Sequence, residues 1–147
     1  MINSGCRRLV YALFLICFST FSQAAWVDTS KTGDVAYFLF DSPASIKRYS
    51  LPTQTFLADI SLAVAGTPNK IHSDIDGLYV SYGQAVYRSD LGGANELHLE
   101  DMSGNVTGMV TTGNILVITA GLQSQSLFLD FYDAVNHEFA SQVKWKR

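Results

Sequence analysis

The stretch PNKIHSDIDGLYVSYGQAVYRSDLGGANELHL, residues 68–99, decides the fold of this chain. Two short runs within it, Leu78–Tyr82 and Val86–Leu91, contain the β-branched and aromatic side chains that favour strands. Tight-turn dipeptides, Asp76-Gly77 and Gly92-Gly93, precede the first run and follow the second. Because no helical stripe of apolar residues interrupts them, these residues predict β-structure.

Similar units lie on both sides of this stretch. Val35–Phe40 (VAYFLF) and Ile115–Thr119 (ILVIT) are unbroken apolar runs, and the turn residues Gly33-Asp34 and Gly113-Asn114 introduce them. An apolar run without alternation is expected for a strand that is covered on both faces. The sequence therefore predicts an all-β chain with central, doubly covered strands.

The spacing of these units indicates a repeat. Tyr37, Tyr79 and Leu116 are separated by 42 and 37 residues, and Arg48 and Arg88 lie 40 apart. A period of about 40 is typical of the four-stranded blades of β-propellers. Each unit reads as a turn, an inner strand, a loop, a middle strand, a turn and an outer strand. The predicted repeats span approximately residues 33–67, 68–105 and 106–147.

Residues 68–99 resemble one blade of the YVTN and YWTD class of β-propellers and the periplasmic TolB-like propellers. The resemblance rests on an Asp-x-Asp-Gly turn before a Leu-Tyr-Val strand, followed by Val86–Asn95. Gly92 and Ala94 depart from the Asp and Ser usual in that last segment. The alternative is an ordinary β-sandwich with regularly spaced turns. The fingerprint positions, assigned a structural role, are Asp76, Gly77, Tyr79, Tyr87, Arg88, Leu91, Gly92, Gly93 and Asn95.

The number of repeats is too small for a closed propeller. About three blades cannot close a ring for which four to eight are typical, so the prediction is a partial propeller, an open arc. Its end blades would expose apolar surface and unpaired strand edges. Three arrangements would resolve this: the chain is a piece of a longer protein, which we favour; copies associate through the open edges; or the chain folds as a smaller sandwich.

The first 25 residues predict a secretory signal peptide with a signal helix. Arg7 and Arg8 precede an apolar run, Leu9–Phe21, that is shorter than the about 20 residues a membrane-spanning helix needs. Small residues then allow cleavage after Ala24 or Ala25. We therefore expect a secreted or periplasmic protein without stable membrane insertion after cleavage.

Cleavage would change the chemistry available to the chain. Both cysteines, Cys6 and Cys17, belong to residues 1–25, so the mature chain would have neither disulfides nor thiol chemistry. Eight basic and thirteen acidic residues would remain, a formal charge of −5. A mildly acidic chain without a long basic cluster is a poor candidate for nucleic-acid binding.

Catalytic, cofactor and metal sites are not predicted. His72, His98 and His137 lie 26 and 39 residues apart, and none has a second ligand at the spacing of a zinc site. Asp74 and Asp76 suggest a calcium loop, but the apolar residue after Gly77 favours a simple turn. Standard nucleophile and phosphate-binding motifs are also missing from the sequence.

The remaining polar and aromatic repeats are interpreted as structural. The tyrosines of the first two repeats are expected to pack between blades. Arg48 and Arg88 are expected to form a repeated ion pair with Asp59 and Asp90.

The function predicted from these features is an exported, non-catalytic binding or scaffolding module with a protein or carbohydrate ligand. One alternative is the N-terminal part of a secreted propeller enzyme, a hydrolase, lyase or quinoprotein, whose catalytic residues lie outside this chain. A second is a structural homo-oligomer that pairs through its open edges.

Overall fold

The computed structural model describes residues 26–122, 126–136 and 138–146 of the chain. The predicted signal helix of residues 1–25, with its cleavage sites at Ala24 and Ala25, lies outside the described residues, as does His137. Over the described ranges the chain is all-β, as predicted, with strands joined by turns and no α-helix. No helix in this part of the chain could therefore cross a membrane.

The strands form three antiparallel sheets that follow one another along the chain. In the first sheet, the order is β1-β2-β3-β4, and β5 also pairs with β3. The second and third sheets have the orders β6-β7-β8-β9 and β10-β11-β12-β13. The strands are β1 Trp26–Thr29, β2 Val35–Asp41, β3 Ala44–Ser50, β4 Thr55–Phe56, β5 Ile60–Ser61, β6 Lys70–Ser73, β7 Leu78–Tyr82, β8 Ala85–Ser89, β9 Leu97–Asp101, β10 Asn105–Thr112, β11 Ile115–Leu122, β12 Ser126–Asp133 and β13 Glu138–Lys146.

Each sheet begins with a strand that the spacing argument did not place. These strands, β1, β6 and β10, precede the turn that the sequence analysis took as the start of a repeat. They escape detection because β1 and β6 have only four residues each, and because Thr, Asn and Gly interrupt the apolar residues of β10.

The cross-strand register fixes which positions of the three sheets are equivalent. Tyr37 lies opposite Arg48 in the first sheet, and Tyr79 lies opposite Arg88 in the second. The corresponding residue of the third sheet is Val117, not Leu116 as the spacing suggested. Leu116 and Tyr79 belong to one buried cluster, which the second and third sheets form from opposite sides. Because a shift of one residue exchanges the two faces of a strand, Leu116 cannot be the equivalent of Tyr79.

The second sheet is covered on both faces. Leu78 and Val80 of β7 pack with Tyr37, Leu39 and other residues of the first sheet. Tyr79, between them, faces the other way and packs with residues of the third sheet. This arrangement explains the unbroken apolar run of β7, which places large side chains in two cores.

Candidate functional site

The candidate site lies on the first strand of each sheet, where the three sheets meet. β1 packs against β6, and β6 packs against β10. The side chains that join these strands are polar, in contrast to the apolar clusters between the other strands. We call the residues Asp28, His72, Ser73 and Thr111 the inner-strand chain.

The first link of the inner-strand chain joins β1 to β6. The Ser73 backbone N–H donates a 2.7 Å hydrogen bond to Asp28 Oδ2, and the Ser73 hydroxyl donates to the Thr29 carbonyl oxygen at 2.6 Å. His72 Nδ1 lies 3.2 Å from the same Asp28 oxygen. The Asp28 carboxylate thus accepts from two consecutive residues of the neighbouring strand.

The second link joins β6 to β10. The Thr111 backbone N–H donates to His72 Nε2 at 3.0 Å, so Nε2 is an acceptor and carries no proton. The Nδ1 hydrogen then points at the Asp28 carboxylate, which fixes the neutral tautomer. Since both ring nitrogens are engaged, His72 in this state has no lone pair available for a metal or for proton abstraction.

The environment of Asp28 favours its ionised form. Burial alone would raise the pKa of the Asp28 carboxyl group, but the hydrogen bond from His72 and the backbone N–H groups of Ser73 and Thr29 outweigh it. The pKa of Asp28 is therefore lowered from its ordinary value. The carboxylate is held as an anion because it serves as a hydrogen-bond acceptor.

Charged residues extend the contact between β1 and β6 at both ends of these strands. At the start of the strands, Lys70 Nζ lies 3.5 Å from the centroid of the Trp26 ring. At their end, Lys31 Nζ donates to Asp74 Oδ1 at 2.8 Å. Burial would raise the pKa of Asp74, but the hydrogen bonds from Lys31 and the Ile75 N–H lower it. At each end, a lysine in or next to one strand therefore contacts a residue in or next to the other.

Four fingerprint residues meet at the turn before β7. The Arg88 guanidinium lies 3.4 Å from Asp76, and Tyr79 is the cross-strand neighbour of Arg88. A Cβ on Gly77 would lie 3.0 Å from both Nε and Nη2 of Arg88. Asp76, Gly77, Tyr79 and Arg88 therefore form one structural cluster, in which glycine makes room for the guanidinium.

The turn after β8 brings together most of the remaining fingerprint residues. Asp90 Oδ1 accepts from the backbone N–H groups of Gly92 and Ala94, and Asp90 Oδ2 accepts from Asn95 Nδ2. Gly93 has a φ of +85°, and a Cβ there would lie 2.2 Å from Cγ2 of Ile60 in the first sheet. This turn is shaped to let the two sheets approach closely.

Tyr87 and Leu91 lie beside this turn and complete the fingerprint. The Tyr87 ring contacts Tyr82 edge-on at 5.6 Å and His98 at 4.9 Å between centroids. The Leu91 carbonyl oxygen accepts a 3.1 Å hydrogen bond from Arg48 Nη1 of the first sheet. Leu91 thus takes part in the contact between two sheets.

The predicted arginine–aspartate pairs do not form. Arg48 donates to the carbonyl oxygens of Ala58 and Leu91, while Asp59 pairs with Lys47. Asp90 caps its own turn and leaves no oxygen directed at an arginine. The prediction was wrong because the 40-residue spacing places the two arginines correctly but carries no information on which acceptor lies opposite them.

The acidic pair Asp74 and Asp76 is divided between different partners. Asp74 bonds with Lys31, whereas Asp76 lies beside Arg88. Over the described residues, no group of three or more His, Cys, Asp or Glu side chains is arranged to hold a metal ion. His98 lies at the surface, 3.3 Å from Asp101.

Sequence reasoning missed the inner-strand chain. It found no role for His72, whose side chain is largely buried and joins two sheets. Asp28 and Thr111 were not singled out. The strand register relates these residues. Asp28 lies opposite Tyr37, and His72 lies opposite Tyr79, so Asp28 and His72 occupy equivalent positions of successive repeats.

Comparison with known proteins shows similarity of fold. No protein-family model matches the sequence, and comparison with curated proteins finds no significant match. Among solved structures, the computationally designed Ika4 protein aligns with a TM-score of 0.61 and 14% identity, over 80% of this chain and 72% of that chain.

Two natural assemblies show the same likeness. Kuenenia stuttgartiensis hydrazine synthase aligns with a TM-score of 0.63 and 16% identity, over 82% of this chain and 36% of that one. A chain of a Saccharomyces cerevisiae Dbp5 complex with Nup159 and Gle1 aligns at 0.56 and 15% identity, over 86% and 34%. The chain thus spans about a third of each of these two. The comparisons support an all-β, propeller-like repeat fold and carry no information on activity.

Proposed function

We propose that this chain is an exported, non-catalytic binding or scaffolding module, built as a partial propeller of the YVTN or TolB-like kind. The consecutive, face-to-face sheets and the fold likenesses support the propeller part of this proposal. The fingerprint of residues 68–99 supports the particular class, because its residues shape turns and inter-sheet contacts in the second sheet.

The non-catalytic assignment rests on the hydrogen bonds of the inner-strand chain. Asp28 and His72 have the composition of an acid–base pair, but the backbone N–H groups of Ser73 and Thr111 donate to Asp28 Oδ2 and His72 Nε2. A general base must reach the proton of a substrate, and here the candidate atoms hold neighbouring strands together. The pair therefore stabilises a scaffold.

A binding surface is best placed where the innermost strands begin. The Trp26 ring is 40% exposed and carries the Lys70 ammonium group. By register, the ends of β2 and β7, with Tyr82, reach the same end of the sheets. Aromatic rings beside a cation suit a carbohydrate, through stacking, or a polypeptide segment with aromatic and acidic residues.

Tryptophan fluorescence tests this surface. The chain has two tryptophans, so Trp145→Phe leaves Trp26 as the single reporter. N-acetylglucosamine oligomers serve as the carbohydrate probe, and oxidised insulin B chain serves as the polypeptide probe. We expect one of them to change the emission in a saturable way, with binding at least about threefold weaker in Lys70→Ala because the cation is lost. No saturable change with either probe at millimolar concentration would overturn the binding surface.

Export has its own test. Expression of the full gene, followed by intact-mass measurement of the extracytoplasmic product, should give a chain that begins at Ala25 or Trp26, the residues after the two proposed cleavage points. A product that keeps residues 1–25 would contradict cleavage.

The second candidate function is part of a propeller enzyme. The fold likeness to hydrazine synthase, of which the chain covers about a third, favours it. Under this alternative, the described sheets would still be a scaffold, and the catalytic groups would come from other segments. A native product much heavier than 16.1 kDa, with activity that survives Asp28→Asn and His72→Gln, would favour the enzyme over the isolated module.

A further inference from the structure

Both outer faces of the stack of sheets are rich in apolar residues, and the first also carries the Lys47–Asp59 ion pair. The side of the first sheet that faces away from the second has large hydrophobic residues at its margins, with Val27 51% and Phe56 68% exposed. The side of the third sheet that faces away from the second is similar, with Val110 54% and Val143 47% exposed. Contiguous apolar patches of this kind mark interaction sites. The first patch consists of Val27, Phe38, Phe40, Tyr49 and Phe56, with Ala36 buried beneath them; the second consists of Val110, Ile115, Val117, Leu129, Phe131 and Val143.

The outer face of the third sheet has the positions that, in the other two sheets, pack on the next sheet. Tyr37 of the first sheet is buried against the second, and Tyr79 of the second is buried against the third. The register makes Val117 their equivalent. Its cross-strand neighbour Phe131 stands in the place of the two arginines. This face is therefore built like one that a further sheet of the same type covers.

The outer face of the first sheet has the complementary positions. Leu78 and Val80 of the second sheet are buried against the first, and Leu116 and Ile118 of the third are buried against the second. Their equivalents in β2, by register, are Ala36 and Phe38. This face is therefore built like one that receives a preceding sheet.

We infer that a second copy of this chain covers both faces, head to tail. The third sheet of each copy packs on the first sheet of the other, through the same pair of faces that the chain uses internally. Two copies supply six sheets, which lies within the four to eight blades that propellers typically have. The inference goes beyond the proposed function, because the pairing needs no ligand and uses sheet faces, not strand edges.

The new interface would differ from the internal ones in one respect. Asp28 and His72 accept an N–H from the next strand, but the equivalent residue of β10 is Val110. The copies would therefore associate without this polar link, mainly through apolar contacts. Because screening acts on charges, the dimer should persist at 1 M salt.

The test is the mass in solution of the exported, processed product, measured by sedimentation equilibrium. We expect twice the mass of one chain. Val27→Glu with Phe56→Glu alters the first patch, and Val110→Glu with Val143→Glu alters the second. Each double variant alone should be a monomer, because a head-to-tail interface needs both patches. An equimolar mixture should form a heterodimer through the one intact pair of faces. Ile75→Glu, at an apolar turn residue outside both patches and 70% exposed, is the matched control and should stay dimeric.

Three results would overturn the inference: a monomeric wild-type product, one double variant that still dimerises alone, or a mixture that stays monomeric. A second measurement applies if the glutamate variants fail to fold. Because residues 26–147 contain no cysteine, Val27→Cys and Val110→Cys introduce single thiols, each on the innermost strand of its sheet. A short bismaleimide should join the two variants only when they are mixed; cross-linking within either variant alone would contradict the head-to-tail arrangement.

Discussion

Two contacts between sheets can be compared: that of the first sheet with the second, and that of the second with the third. Each provides a side-chain acceptor for a backbone N–H of the next sheet, but the side chains differ. In the first contact, the Asp28 carboxylate accepts the N–H of Ser73; in the second, the His72 imidazole accepts the N–H of Thr111. A backbone N–H at the meeting of two sheets has no ladder partner, and leaving it unsatisfied is costly. The comparison teaches that the first two repeats place an acceptor at the same position with a different chemical group, whereas the third has Val110 there.

The contacts that the outer strands make between sheets differ more than those of the inner strands. Between the first and second sheets, Gly93 lies against Ile60, and Arg48 bonds with the Leu91 carbonyl. Between the second and third, the Tyr132 hydroxyl donates to the Leu99 carbonyl at 2.9 Å. The first contact therefore depends on a close backbone approach at Gly93 and on Arg48, and the second depends on the Tyr132 hydroxyl.

Gly93→Ala should have the largest effect, because it attacks the close approach directly. A Cβ there would lie 2.2 Å from Cγ2 of Ile60, and the φ of +85° is unfavourable for alanine. Overpacking and the backbone conformation together should lower the free energy of unfolding by about 3 kcal/mol. Urea denaturation measures this loss.

Gly33→Ala is the matched control for that substitution. Gly33 has a φ of +75°, but a Cβ there would meet no atom within 4 Å. It should lose only about 1 kcal/mol, the conformational part alone. Equal losses at Gly33 and Gly93 would show that the approach to Ile60 is not tight.

Removal of the acceptor side chains Asp28 and His72 should have the next largest effect on the free energy of unfolding. Asp28→Ala and His72→Ala each leave a buried N–H, of Ser73 or Thr111, without its acceptor. Each should lower the free energy of unfolding by about 1–3 kcal/mol. The effects should not add in the double variant, because Asp28 and His72 also contact each other.

Asp28→Asn sharpens this prediction. The asparagine side-chain oxygen can still accept from Ser73, so the loss should be smaller than for alanine. If alanine and asparagine at residue 28 destabilise equally, the Ser73 hydrogen bond is not what Asp28 contributes.

Much of the fold could be predicted from the sequence, for identifiable reasons. Runs such as Leu78–Tyr82 carry enough large apolar residues to reveal strands with two covered faces. The first strand of each sheet could not be found by the same reasoning, because β1 and β6 are short and polar. The prediction aligned the third repeat one residue too early, at Leu116 and not at Val117. A continuous apolar run such as ILVIT has no alternation that would identify its two faces.

The candidate site was less accessible than the fold. The sequence shows Asp28, His72 and Thr111 far apart, and neither their contacts nor the tautomer of His72 follows from spacing. The fingerprint was easier to find because its turn residues, such as Gly93, are local. Even there, the reason for glycine is Ile60 of the preceding sheet, which a local pattern cannot show.

Tyr132→Phe is expected to have a smaller effect, confined to the second contact. It removes the hydroxyl that donates to the Leu99 carbonyl and leaves the ring in place. The free energy of unfolding should fall by about 1 kcal/mol. Tyr49→Phe is the control, because the Tyr49 hydroxyl has no hydrogen bond to any described residue; a comparable loss there would mean that the bond to Leu99 is not the cause.

The pH dependence that Asp28 contributes should be the smallest effect. Its pKa in the folded chain is lowered from 3.8, so its stabilising effect is complete above that value and is lost as the pH falls through the folded pKa. The stability difference between wild type and Asp28→Asn should therefore shrink below about pH 3.8. Urea denaturation of both chains between pH 3 and pH 7 checks this, and a difference that stays constant over that range would contradict it.

The central claim is that equivalent side chains of successive sheets each hold one backbone N–H of the next. Amide hydrogen exchange of Ser73 and Thr111, followed by NMR, tests it most directly. We predict that both amides are protected in the wild type, that Asp28→Ala releases mainly Ser73, and that His72→Ala releases mainly Thr111. Unprotected exchange of either amide in the wild-type chain, or equal release of both in each variant, would contradict the account.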